Sequence, residues 1–98
     1  MGDFLEEEDQ LRRLRMPRND EVLGIVEQML GASRMKVSCK DNKVRICRIP
    51  GKIKRRIWIK EGDVVIVKPW TVQGGEKGDI VWRYTRPQVD RLVSQGVI

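Results

Sequence analysis

The stretch Gly51-Lys52-Ile53-Lys54-Arg55-Arg56-Ile57-Trp58-Ile59-Lys60 places five cations within ten residues, with no acid among them. A tryptophan stands just past the densest part. Ammonium and guanidinium groups this close together neutralise successive phosphates, and a flat indole offers a face on which a base stacks. The same residues also read as a basic surface loop whose Trp58 belongs to the core, because charge runs are usually solvated surface. For Trp58, stacking on a base and packing against the fold stand as equal alternatives.

The charge around this stretch favours the anionic partner. The 98-residue chain carries 20 Lys and Arg against 14 Asp and Glu, for a net charge of +6. That excess is local. Residues 34–60 hold eleven bases against Asp41 alone, whereas residues 61–98 carry five of each sign and residues 1–10 hold five acids and no base. A patch of this kind makes an anionic partner the first guess. Other chemistry finds little to work with. The chain has no histidine, and Cys39 and Cys47 are separated by seven residues, a spacing that fits neither a zinc site nor a redox pair. Two buried thiols are the expected reading. No P-loop, paired-carboxylate site or activated cysteine is present, so no enzyme activity and no cofactor or metal is expected. No apolar run approaches the roughly 18 residues that span a bilayer, and the N-terminus MGDFLEEEDQ lacks the basic and apolar regions of a signal peptide. A soluble cytoplasmic protein is expected.

The elements that must position the basic residues read as short strands. Residues 1–18 form a charged tail: acids at Glu6–Asp9 precede Arg12, Arg13 and Arg15, too few apolar positions follow to dock it, and Pro17 ends it. Glu21–Leu30 reads as a strand with a bend or bulge at Gly24. After a turn at Gly31-Ala32-Ser33, Arg34–Lys40 alternates, with Met35, Val37 and Cys39 on the apolar face and Arg34, Lys36 and Lys40 on the other. Asp41-Asn42 supplies a hairpin turn into Lys43–Ile49, where Val44 and Ile46 are expected inward and Arg45 outward, with a bulge near Cys47. Val64–Val67 is a fully apolar strand, and Asp79–Tyr84 puts Ile80, Trp82 and Tyr84 on one face, with Trp82 in the core and Arg83 on the opposite side. Trp70, after Pro69 at a strand end, is a candidate exposed aromatic. Pro87–Gln95 reads as a helix with Val89, Leu92 and Val93 on its apolar side, closed by Gly96.

Five strands with a hairpin between the second and third suggest an all-β chain forming a five-stranded OB-fold barrel, with a short C-terminal helix. The second and third strands are the usual oligonucleotide face of that fold. Here they carry Arg34, Lys36, Lys40, Lys43, Arg45 and Arg48. The expected organisation is a tail over 1–18, a barrel over 19–85 and a helix over 86–98 packed on the barrel.

The order Met29-Leu30-Gly31, Cys39-Lys40-Asp41, Arg45-Ile46-Cys47-Arg48-Ile49-Pro50-Gly51-Lys52 and Arg55-Arg56-Ile57-Trp58-Ile59 strongly resembles the translation initiation factor 1A family in its archaeal form. The resemblance covers roughly residues 19–98. It implies an S1-type OB barrel with an appended helix, and binding through ribosomal RNA to the small ribosomal subunit at the aminoacyl-tRNA site. It further implies a part in initiator tRNA placement and initiation complex assembly, beside other initiation factors and the initiator tRNA complex. Family RNA contacts carry over to Lys52, Lys54, Arg55, Arg56 and Trp58. The chain is expected to act as a monomer without membrane contact. No long acidic tail follows Ile98 and the N-terminal stretch opens acidic, so roles built on eukaryotic-type tails are not expected. The alternatives are a general single-stranded RNA binder or a basic adaptor for an acidic protein.

Overall fold

The computed structural model describes residues 14–51 and 58–98. Two compact units are present, one spanning Pro17–Tyr84 and one that includes Thr85–Ile98. The first is a closed barrel of β1 (Val22–Gly31), β2 (Arg34–Cys39), β3 (Val44–Arg48), β4 (Val64–Pro69) and β5 (Lys77–Arg83) in the order β1-β2-β3-β5-β4. β1 closes the ring by pairing antiparallel with β4, and β3 lies parallel to β5. This is the OB-fold arrangement, a fold in which the second and third strands are the usual oligonucleotide face.

Alternation decides which side chains fill the barrel. Met35, Val37 and Cys39 of β2 point inward as their pattern requires, joined by Val26, Cys47, Ile59, Val65, Val67 and Ile80 in one buried cluster. All four residues Val64–Val67 are buried, matching their unbroken apolar run. Gly24 serves close approach and not the expected bulge. A Cβ there would lie 2.5 Å from Val37 Cγ1, while the register shifts against β2 occur further on, after Val26 and after Met29.

On β3 the expected facing is reversed. Arg45 and Cys47 are buried, whereas Val44 is exposed and Ile46 half-buried. The pairing with β2 runs without a shift, so the bulge expected near Cys47 does not occur. The register explains the reversal. Met35 stands opposite Cys47 and Val37 opposite Arg45, and directly paired residues share a face. Once β2 commits its apolar side inward, Arg45 must follow.

In the second unit, α1 (Arg86–Ser94) begins on a capping box: Gln88 N–H donates to Thr85 Oγ1 and Thr85 N–H donates to Gln88 Oε1. It ends on a Schellman pair, in which Val97 N–H donates to the Leu92 carbonyl and Gly96 N–H to that of Val93. Gly96 takes the left-handed φ of 73° that this stop requires. Leu92 is buried, but Val93, expected on the apolar side, is exposed.

Candidate nucleic-acid interface

Three rows of side chains cross the outer wall of the barrel, set by strand register. Arg34 stands opposite Arg48, Arg48 beside Asp79, and Asp79 opposite Lys68, so one charged row spans β2, β3, β5 and β4. The next outward row runs Gln28, Lys36, Ile46 and Lys77. A third holds Ile25, Ser38 and Val44, in which both apolar members are exposed. Lys40 and Lys43 are exposed at the hairpin end of the same strands. The cations on this wall are held lightly. Lys36 meets Glu27 at 4.0 Å and Arg48 meets Asp79 at 3.3 Å. Exposed pairs of this kind are worth about 0–1 kcal/mol, so they exchange readily for phosphates.

Lys52, Lys54, Arg55 and Arg56 lie outside the described residues. Trp58, which follows them, is 85% exposed. The next residue, Ile59, is buried in the barrel cluster, so the chain re-enters the core there and leaves the indole outside. Arg83 fixes that exit by donating from a guanidinium nitrogen to the Trp58 carbonyl at 2.9 Å. Packing against the barrel is thereby removed as the account of Trp58.

Arg45 corrects the reading of a solvent-facing strip. Its side chain is only 3% exposed. Two guanidinium nitrogens donate to the Asp41 carboxylate at 2.9 and 2.8 Å, and Nε donates to the Gly74 carbonyl at 2.6 Å. The fork thus ties the β2–β3 turn to the β4–β5 connection, and a side chain this buried is not presented to a phosphate at the surface. Hydrogen bonding to Arg45 holds the Asp41 carboxyl below its usual range. The same bond raises the Arg45 guanidinium still further above its ordinary value. Burial pushes the Cys47 thiol up to about 12. It also raises that of Cys39, against a lowering hydrogen bond from Arg45. Both cysteines are free and buried, as expected, and both are neutral thiols at physiological pH. Among the described residues, no group of three His, Cys, Asp or Glu side chains is placed to hold a metal ion.

Residues 11–98 match the family Translation initiation factor 1A / IF-1. The chain belongs to this family. It is 59% identical over 88 residues to Translation initiation factor 1A of Methanococcus maripaludis, covering 88% of this chain and 85% of the relative. It is 53% identical over 92 residues to the factor of Pyrococcus abyssi, covering 94% and 81%. With the factor of Methanopyrus kandleri it shares 51% identity over 96 residues, covering 98% and 85%. Among solved structures, a bacterial-type translation initiation factor from the wolbachia endosymbiont of Brugia malayi superposes with a TM-score of 0.54 at 33% identity, covering 76% of this chain and 86% of that one. YjeQ from Thermotoga maritima, at 22% identity and a TM-score of 0.53, shares the fold over 67% of this chain and 23% of its own. No helix among the described residues is long and apolar enough to cross a membrane.

The family's barrel brings together residues that the local sequence does not. Trp70 is half-buried beside Arg48 and Lys77, whose cationic groups lie 5.4 and 5.5 Å from its ring centroid. Lys77 falls in a segment of balanced charge, and only the parallel pairing of β3 with β5 carries it to the basic wall. Trp82, expected in the core with Ile80, is half-buried instead. A bulge explains this: Ile66 pairs Trp82 but Val67 pairs Ile80, so Val81 is an extra residue that breaks the alternation.

Proposed function

We infer that this member of the translation initiation factor 1A family binds the small ribosomal subunit through ribosomal RNA at the aminoacyl-tRNA site. There it supports initiator tRNA placement and assembly of the initiation complex with other initiation factors. The observation that carries this reading is the junction of two features on one barrel. A wall bearing Arg34, Lys36, Lys40, Lys43 and Arg48 is joined in sequence to Lys52, Lys54, Arg55 and Arg56, and that run is followed by a tryptophan that is 85% exposed. Cations neutralise the backbone and the indole takes a base, the combination that single-stranded and loop RNA requires. An acidic protein partner would use the cations but has no need of a free indole.

Co-sedimentation with purified subunits tests it. The protein should pellet with small subunits, leave large ones unoccupied, and be displaced by tRNA bound at the aminoacyl site. With about four to six phosphate contacts, affinity should fall with a log–log salt slope of roughly −3 to −5. Replacing Lys54, Arg55 and Arg56 with alanine should flatten that slope by about two to three. Equal binding to both subunits, or a flat salt response, overturns the reading.

A further inference from the structure

Beyond β3 the wall carries a second pairing of an aromatic with cations, away from Trp58. Trp70 follows Pro69 at the end of β4, and its backbone N–H donates to the Lys77 carbonyl at 3.1 Å, which seats the ring beside the start of β5. Asp79 then orients two groups at once. Its Oδ1 accepts from the indole N–H at 3.0 Å and from Arg48 Nε at 3.3 Å. Its Oδ2 faces a second Arg48 nitrogen at 3.5 Å. One half-buried carboxylate therefore sets the ring and the guanidinium beside each other in the free protein. Both Arg48 and Lys77 lie within cation–π range of the indole.

Arg48, Lys68, Pro69, Trp70, Thr71 and Asp79 line an open cleft at this place. Lys68 of this lining meets Asp20 at 3.4 Å. Asp79 is the single acid of the lining, and both its oxygens are already engaged by Trp70 and Arg48. What the cleft offers a ligand is a pre-set flat surface with positive charge beside it. A nucleotide fits that description: its base lies on the indole or guanidinium plane and its phosphate meets the cations. An acidic peptide would satisfy the charge and leave the flat surface unused.

We propose that Trp70, Arg48 and Lys77 form a second single-stranded RNA subsite, taking one nucleotide on the β3–β5–β4 wall, separate from Trp58. This rests on the RNA-binding reading above and adds to Arg48 of the strip two residues, Trp70 and Lys77, that neither the strip nor the Lys52–Arg56 run supplies. Asp79 is a positioning residue within it.

The test uses the full chain and a short single-stranded oligoribonucleotide carrying 5-iodouridine, photo-crosslinked and mapped by mass spectrometry after digestion. Adducts are expected at both Trp58 and Trp70, and Trp58→Ala should keep the Trp70 adduct. Lys77→Ala changes a side chain outside the barrel interior. It should weaken anisotropy-measured binding of the same oligonucleotide about threefold to tenfold and reduce the salt slope by about one. Adducts at Trp58 alone, with Lys77→Ala binding as the parent does, overturn this subsite and leave the proposed function standing. A glutamate-rich peptide that binds the cleft while Trp70 yields no RNA adduct overturns it in favour of a protein partner. Absence of salt-dependent binding to both the oligonucleotide and the small subunit overturns the proposed function and the subsite together.

Discussion

Arg45→Ala separates a structural cation from an RNA-binding one. The substitution removes a guanidinium that is 3% exposed and makes three hydrogen bonds, two to Asp41 and one to the Gly74 carbonyl. Hydrogen bonds to charged groups contribute about 1.5–3 kcal/mol each, and breaking a fully buried ion pair costs about 3–5 kcal/mol. The Asp41 side chain is 37% exposed, so water recovers part of its loss and the lower end of that range applies. A net loss of about 2–4 kcal/mol is expected, which for a domain of this size lowers Tm by roughly 10–25 °C. The assay is thermal or urea unfolding beside small-subunit binding across a salt series. Stability should fall while the salt slope stays unchanged, because no phosphate contact is lost. Arg45→Lys should recover little, since an ammonium cannot span Asp41 and Gly74 as a planar fork. The pH dependence has a definite sign. Asp41 has a folded pKa below its unfolded value, so its contribution is present above the usual carboxylate range and is lost as pH falls through the depressed folded value. Asp41→Asn should remove that part of the acid sensitivity. A parental Tm with a salt slope reduced by one would show that Arg45 meets a phosphate and that its inward placement is wrong.

Trp58→Ala should alter stability by no more than about 0.5 kcal/mol, because the ring is exposed, while RNA binding weakens by about 1–3 kcal/mol at constant salt slope; unfolding and binding curves on one preparation check both. Gly24→Ala should destabilise the barrel by about 1–3 kcal/mol, since the added methyl meets Val37 Cγ1 at 2.5 Å and the Ser38 carbonyl at 3.2 Å; urea unfolding measures it. Cys47 keeps its proton in the folded state up to about pH 12, whereas the unfolded thiol ionises near 9.0. Stability should therefore fall with rising pH across that window by about 1.4 kcal/mol per unit from this thiol, and Cys47→Ala should flatten the fall; alkylation should need unfolding.

Much of the barrel is legible in the sequence because burial leaves a period of two wherever one face is wet. Met35, Val37 and Cys39 against Arg34, Lys36 and Lys40 define β2 without ambiguity. On β3 the same rule misleads. Val44-Arg45-Ile46 has the form of an outward arginine between two inward residues, and the structure inverts it because the register with Met35 and Val37 is already set. The signal that predicts the inversion is Asp41, four residues before Arg45 across the turn, which gives the buried guanidinium a carboxylate to reach. Trp70 and Lys77 carry no local signal of a shared site. They meet Arg48 through strand pairing between segments about thirty residues apart, which composition and spacing do not encode.

The basic count of the central third therefore overstates the interface in one place and understates it in another. Arg45 uses its charge to hold the Asp41 turn against Gly74, and the close seat of Gly74 on the Trp70 carbonyl leaves no room there for a Cβ. The connection so braced begins at Trp70 and ends at Lys77, which with Arg48 lies within cation–π range of the Trp70 ring. A buried, permanently charged fork is an inefficient way to gain stability, since well-packed apolar groups often serve as well. Its value here is geometric. It fixes the spacing between the hairpin carrying Lys40 and Lys43 and the connection carrying Trp70, so that cations from separate strands present one surface of defined shape. The lightly held pairs Lys36–Glu27 and Arg48–Asp79 complete the division of labour: they keep their side chains ordered in the free protein and give way to phosphate at little cost. Loss of Arg45 should accordingly loosen the connection that carries Trp70 in the fraction that remains folded, read as a weaker Trp70 photo-adduct at an unchanged salt slope.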